Sequence, residues 1–263
     1  WKLNLFSSDS RNEIKQVIET IEDNNYDLIV DMQNNLKSAF LSFLCKQPVA
    51  GMDARSSREY PAHLAYKKKI NVSKDMHAIQ RQKSLLSSAL DYSNKISVDT
   101  YGIDKNKFIY SNKVSEKKYI VCVQNASWPT KQWPINYWQE LICELAVNDM
   151  HLYFPSGSQS ELDRANEICS ASSKAKALDL MSLNEMAYLI DNASLSICSD
   201  TGLAHLSAIT NTPSLTLYGP TNPQLIGTYG EDQHHLLAKN SNITNISVNE
   251  VISKLKDLAL IEF

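Results

Sequence analysis

From about residue 118 onward, short apolar runs alternate with stretches whose apolar residues recur at helical spacing. Lys118–Val123 (KYIVCV), His151–Phe154, Leu195–Cys198 and Ser214–Tyr218 (SLTLY) predict buried strands. Ile135–Ala146, Ser160–Cys169, Leu183–Ala193, Gly202–Ile209 and Ser247–Leu260 predict helices. Strands that alternate with helices in this way make βαβ units, hence an α/β class with a parallel sheet covered on both faces. The first half repeats the alternation less regularly. It predicts helices over Arg11–Asn24, Leu36–Lys46 and Met76–Asp91, and strands over Tyr26–Met32 and Pro48–Met52. Residues 53–75 are polar and basic and receive no element. A stretch poor in large apolar side chains, 105–117, marks a boundary, so two α/β domains are expected, 1–113 and 114–263.

Composition narrows the function classes. The chain has 263 residues, 43% hydrophobic and 21% charged, with a net charge of −3, which is globular and lacks the basic excess of a nucleic-acid binder. No apolar run approaches the ~18 residues that span a bilayer, and no secretory signal is visible. The five cysteines have no metal-binding spacing and mostly sit in apolar runs, so buried free thiols in a reducing cytoplasm are expected. No His/Asp/Cys cluster has metal-ligand spacing. Neither GxGxxG, GxxxxGK[ST] nor GxSxG occurs, which counts against dehydrogenases of the dinucleotide type, P-loop enzymes and α/β-hydrolases.

Glycine placement is the most informative local signal. Only seven glycines are present, where ordinary usage of ~7% would give about 18. Four of the seven fall between Gly202 and Gly230. Gly202 follows a strand and opens a helix, so the amides of Thr201 to Leu203 are placed to meet a phosphate at a helix N-terminus. The same turn reads equally well as a plain N-cap by Asp200 or Thr201. Gly219-Pro220-Thr221-Asn222-Pro223 is a second loop after a strand, either a rigid turn or part of the same ligand site.

These segments resemble the lipopolysaccharide heptosyltransferases, the heptosyltransferase (family 9) glycosyltransferases. The resemblance lies in SDTGLAHLSA followed by LTLYGPTNPQLIGTYG, in NASWPTKQWPINYWQEL and FPSGSQSELDRA, and in YDLIVDMQNNLKSA and GMDARSSREYP of the first half. It covers essentially the whole chain. The K-x-W-P element and the Arg-Glu pair point to the branch that adds the first heptose of the inner core. The resemblance implies a GT-B fold, two Rossmann-like domains facing across a cleft, with acceptor held by the first and nucleotide sugar by the second. It allows the last helix to pack back on the first domain. It implies an inverting, metal-independent transfer of heptose from ADP-heptose to the Kdo end of Kdo2-lipid A, with no cofactor. The enzyme would then be cytoplasmic and peripheral at the inner face of the inner membrane.

By the same resemblance, Lys131 neutralises the departing diphosphate and Asp200 receives hydroxyls of the donor sugar; these are the expected catalytic residues. Ser127 and the backbone of Thr201, Gly202 and Leu203 face the phosphates, Glu161 the ribose, Met181 the adenine, and His205 orients the site. Lys37 and Arg58 are expected to meet the anionic acceptor, since a guanidinium matches carboxylate and phosphate geometry. The run Lys67-Lys68-Lys69 reads as a solvated face or as a contact with the anionic membrane surface. Each role has a plainer counterpart: an exposed loop lysine, a helix-start glutamate, a core methionine, a packed histidine. The family's general base, an aspartate near the N-terminus, has no counterpart. About 60 residues, roughly two βα units, are expected to precede this chain, and the chain alone is expected to be inactive. Two alternatives stand beside this reading: a related GT-B transferase such as the type II heptosyltransferase, and a nucleotide-binding fragment without activity.

Overall fold

A computed structural model describes residues 7–93, 101–109, 118–146 and 150–260. The chain divides into two compact units, Trp1–Ile96 and Ser97–Phe263. The expected boundary between 113 and 114 lies outside the described residues. Residues 101–109 belong with the second unit: the Tyr101 hydroxyl donates to the Tyr229 carbonyl at 2.6 Å, and Lys105 pairs with Asp191 at 2.8 Å.

The first unit runs α1 (Ser8–Asp23), β1 (Ile29–Val30), α2 (Leu36–Leu44), β2 (Val49–Met52), a 3-10 turn (Tyr60–Ala65), β3 (Lys68–Ile70) and α3 (Ala78–Leu90). Its strands pair in parallel in the order β1-β2-β3. The expected seven-residue first strand shortens to two residues because Asp31 turns the chain. That carboxylate is buried and takes four donors: the amides of Gln33 and Asn34, the Ser38 hydroxyl and the Tyr66 hydroxyl, the last at 2.6 Å. Burial and the Asp31 carboxylate together hold the Tyr66 phenol far above its ordinary range. Residues 60–65 and 68–70, left unassigned from sequence, form the 3-10 turn and β3.

The second unit runs β4 (Tyr119–Val123), a 3-10 turn (Pro129–Lys131), α4 (Ile135–Ala146), β5 (His151–Ser156), α5 (Gln159–Cys169), β6 (Ala175–Leu180), α6 (Leu183–Asp191), β7 (Leu195–Ser199), α7 (Gly202–Thr210), β8 (Ser214–Tyr218), α8 (Pro223–Ile226), β9 (Gln233–Leu237) and α9 (Val248–Asp257). Six parallel strands lie in the order β6-β5-β4-β7-β8-β9. This is the doubly wound order in which the chain starts in the middle, winds to one edge, then returns and winds to the other. β4, β7 and β8 are buried at every position, as strands covered by helices on both faces must be. α4 buries Trp138, Leu141, Ile142 and Leu145, a stripe at i, i+3, i+4 and i+7. α9 buries Val248, Val251, Ile252 and Leu255 in the second unit's own core, with Ser247 and Glu250 forming a capping box at its start.

Three expectations need correction. β6 and β9 were missed; both are edge strands, and only Leu178 of β6 and Gln233 of β9 are buried. Of the five cysteines only Cys122 and Cys198 are buried. Cys143 is exposed because it follows buried Ile142 on α4 and so faces outward. Lys68 of the basic run is only partly solvated, its side chain 41% exposed: it donates to the Ala89 carbonyl and pairs with the exposed Asp91 at 3.0 Å at the end of α3.

Gly51 is where β2 meets the Tyr66 ring: a Cβ at this position would stand 2.4 Å from two ring carbons. Gly51→Ala is therefore expected to lower stability by about 1–3 kcal/mol through overpacking, read as a lower denaturant midpoint with an unchanged slope.

Candidate functional site: a charged pair at the switch point of the sheet

β4 and β7 are neighbours in the sheet yet lead to opposite halves of it, so their C-terminal ends border the crevice where doubly wound sheets receive ligands. The loop after β4 carries Lys131, and the residue after β7 is Asp200. Their side chains meet at 2.7 Å, the lysine side chain 23% and the aspartate side chain 10% exposed. The pair joins the two residues expected to be catalytic. Lys131 also lies 6.0 Å from the centre of the exposed Trp128 ring.

Local sequence explains the loop. Trp133 is fully buried, donates its indole N–H to the Ile246 carbonyl at 2.9 Å, and packs edge-on against Trp138 and Tyr137. Pro134 follows, and its carbonyl accepts the amides of Tyr137 and Trp138 at the start of α4. The K-x-W-P element is thus an anchor with the lysine projecting two residues before it. Gly219 admits the loop from the other side. A Cβ there would lie 3.1 Å from the Thr130 carbonyl oxygen and 3.2 Å from Ile243 Cβ. The second glycine loop therefore serves the Lys131 turn by close backbone approach.

The N-terminus of α7 is open. Its cap, Thr201, is extended and makes no side-chain capping bond. Gly202 is exposed, and a Cβ added to it would meet nothing within 4 Å. The first amides of the helix, at Gly202 and Leu203, are therefore approachable beside the Lys131 ammonium, an arrangement suited to an anion. His205 sits one turn further on, half-buried.

On the other half of the sheet, the Glu161 carboxylate of α5 accepts the Gly157 amide at 2.7 Å, ordering the loop after β5. Met181 follows β6; its amide donates to the Ser156 carbonyl, and its side chain is buried in a core that includes Val123, Tyr153 and Met186. Ser127 is exposed in the Lys131 loop. Lys37 and Arg58 lie in the first unit. Both are exposed, and their segments meet where the Glu59 carboxylate accepts the Leu36 amide at 2.8 Å, at the start of α2. The loop bearing Arg58 is ordered by Asp53, which accepts from the Asn71 side chain and from the amides of Ser56 and Arg55. Sequence reading missed Asp31, Asp53, Gln124 and Arg164. Only Gln124 left a signal, a polar residue directly after an apolar strand. Among the described residues no group of three or more His, Cys, Asp and Glu could hold a metal, and no helix is long and apolar enough to cross a membrane.

A six-stranded sheet of this order, with a lysine and an open helix N-terminus at its switch point, defines a Rossmann-type unit. Comparison with known proteins carries this further. The sequence pattern of glycosyltransferase family 9 (heptosyltransferase) matches residues 14–255. Lipopolysaccharide heptosyltransferase 1 of Pseudomonas aeruginosa is 35% identical over 237 residues, 90% of this chain and 66% of that protein. The Escherichia coli K12 enzyme of the same name is 33% identical over 259 residues, 98% of this chain and 81% of that protein. The structure of E. coli heptosyltransferase WaaC with ADP superposes with a TM-score of 0.87 at 31% identity, covering 98% of this chain and 81% of that one. A type 2 enzyme, from Salmonella typhimurium, is 24% identical over 80% of the chain. The chain belongs to glycosyltransferase family 9, the heptosyltransferases, with the GT-B class of fold. It is a glycosyltransferase of the kind that moves heptose in lipopolysaccharide core biosynthesis, and the type 2 alternative is not favoured.

Two outcomes test this geometry. Lys131→Ala leaves the Asp200 carboxylate buried without its partner and is expected to cost about 1–3 kcal/mol, whereas Ser127→Ala stays within ~0.5 kcal/mol; chemical denaturation separates them. The donors around Asp53, the Asn71 side chain first, hold its carboxyl down at about 2, below the ordinary 3.8. Stability from that loop is therefore complete above the ordinary value and lost as pH falls through about 2. Asp53→Asn should flatten the acid limb of a stability-against-pH curve.

Proposed function

We propose that this chain transfers L-glycero-D-manno-heptose from ADP-heptose to the Kdo end of Kdo2-lipid A, with inversion at the anomeric carbon. The observation that carries the reading is the 2.7 Å pair of Lys131 with Asp200 beside the open start of α7. WaaC has been seen with ADP and with ADP-2-deoxy-2-fluoro heptose, which supports the donor. The diphosphate would rest on the amides of Thr201 to Leu203 and on the Ser127 hydroxyl. Glu161 would take the ribose hydroxyls, and the end of β6 at Met181 would border the adenine. His205, one turn into α7, would orient this end of the site.

As the bond from the anomeric carbon to the phosphate oxygen breaks, negative charge gathers on the departing ADP. Lys131 would neutralise it, and a fixed cation costs no reorganisation at that moment. Asp200 would then be released toward the heptose hydroxyls. The Kdo hydroxyl attacks the anomeric carbon from the opposite face and gives up its proton to a general base, which no residue of this chain is assigned to supply. Lys37 and Arg58 would hold the Kdo carboxylates and the lipid A phosphates. An acceptor of this kind lies in a bilayer, so the reaction would take place at the cytoplasmic face of the inner membrane.

Incubation of the full-length protein with ADP-heptose and Kdo2-lipid A is expected to add one heptose, read by mass spectrometry. Lys131→Ala and Asp200→Ala should each lower turnover by at least ~10²-fold, the scale of losing one transition-state donor. Wild-type turnover in both variants would show that the site lies elsewhere. Preference for another nucleotide sugar, or for an already heptosylated acceptor, would reject this donor and acceptor assignment.

A further inference from the structure

The loop that carries Lys131 leaves the sheet at Gln124 and rejoins the core at Trp133. One guanidinium holds both ends. Arg164 of α5 donates from Nε to Gln124 Oε1 at 2.6 Å and from Nη2 to the Trp133 carbonyl at 2.7 Å. Gln124 is fully buried, and its amide nitrogen returns a bond to the Glu161 carbonyl at 3.2 Å. The loop is braced internally as well, by Gln132 donating to the Ala126 carbonyl at 2.8 Å. Arg164 lies three residues after Glu161 on the same helix. Its side chain thus ties the helix bearing the expected ribose contact to the loop bearing the expected phosphate contact. A surface arginine needs no such partners, and burial lowers the pKa of this one. The planar fork is the feature that reaches two acceptors at once, and a lysine point charge lacks it.

We propose that Arg164 is a positioning residue for the transfer, setting the distance between Lys131 and Glu161 so that one nucleotide meets both. It does not touch the substrate; it acts through Lys131. The inference rests on the proposed roles of Lys131 and Glu161. A displacement of about 1 Å in a positioned group can cost 10²-fold in rate.

The test is a double-mutant cycle on the protein, read by ADP affinity in calorimetry and by turnover. Arg164→Met is expected to weaken ADP binding and to lower turnover, each about ten-fold or more, in the wild-type background. In a Lys131→Ala background the same change should cost less than about three-fold in ADP affinity, because the group it positions is gone. Arg164→Lys keeps the charge without the fork and should fail to rescue; it also serves if the methionine variant does not fold. Equal losses in both backgrounds, tracking a lowered melting temperature, would mean that Arg164 only supports the fold and would overturn the proposal. So would full activity of Arg164→Lys. If Lys131→Ala itself binds ADP and turns over like wild type, the reading of the site fails instead, and the two failures are thereby told apart.

Discussion

A carboxylate as enclosed as Asp200 needs a counter-charge, and Lys131 supplies it. The strand that ends at Asp200 neighbours β4, whose loop returns over the crevice with Lys131. Much of the surrounding structure reads as what it takes to keep that ammonium there. Trp133 roots the loop in the core, Gly219 lets its backbone come close, and Gln124 secures its departure from the sheet. Lys131 is paired with Asp200 rather than fully solvated, so under the proposed function a diphosphate would exchange one anionic partner for another. The desolvation cost of Lys131 would then be partly met by the fold itself, as a preorganised electrostatic site requires.

The sheet frames the pair by burying β4, β7 and β8 at every position. Within them, the Ser199 hydroxyl is turned to the Gln124 carbonyl and that of Ser214 to the Gln233 side chain. The polar groups at the candidate site come just past the strands, Gln124 after β4 and Asp200 after β7. The first unit solves a similar problem with different means. There Asp31 ends the strand, collects four donors and shapes the turn into α2. The basic residues expected to meet the acceptor, Lys37 and Arg58, stand on the two segments that Glu59 joins.

What the sequence made legible follows the same division. α4 and β8 are legible residue for residue, because a stripe at helical spacing is compatible with little but a helix, and the alternating β-type run Ser-Leu-Thr-Leu-Tyr between turn residues with little but a strand. β6 (AKALDL) and β9 (QHHLL) were missed because edge strands carry polar residues that a pattern search takes for loop. The glycine shortage drew attention to residues 202–230, but it did not separate the roles of the two loops. Gly202 lies open at the helix start, whereas Gly219 is packed against backbone. Lys131 and Asp200 are singled out in the sequence by their motif neighbours. Arg164 is not, since its meaning lies in acceptors 31 and 40 residues away, a relation that exists only once α5 has packed against β5, β6 and α4.

The contact at Gly219 has a consequence for inhibition. Gly219 stands close to the Thr130 carbonyl oxygen and to Ile243, so any side chain at this position would crowd the Lys131 turn. A compound that lodged against the turn beside Gly219 would meet a surface that substitution there cannot alter without disturbing the turn itself.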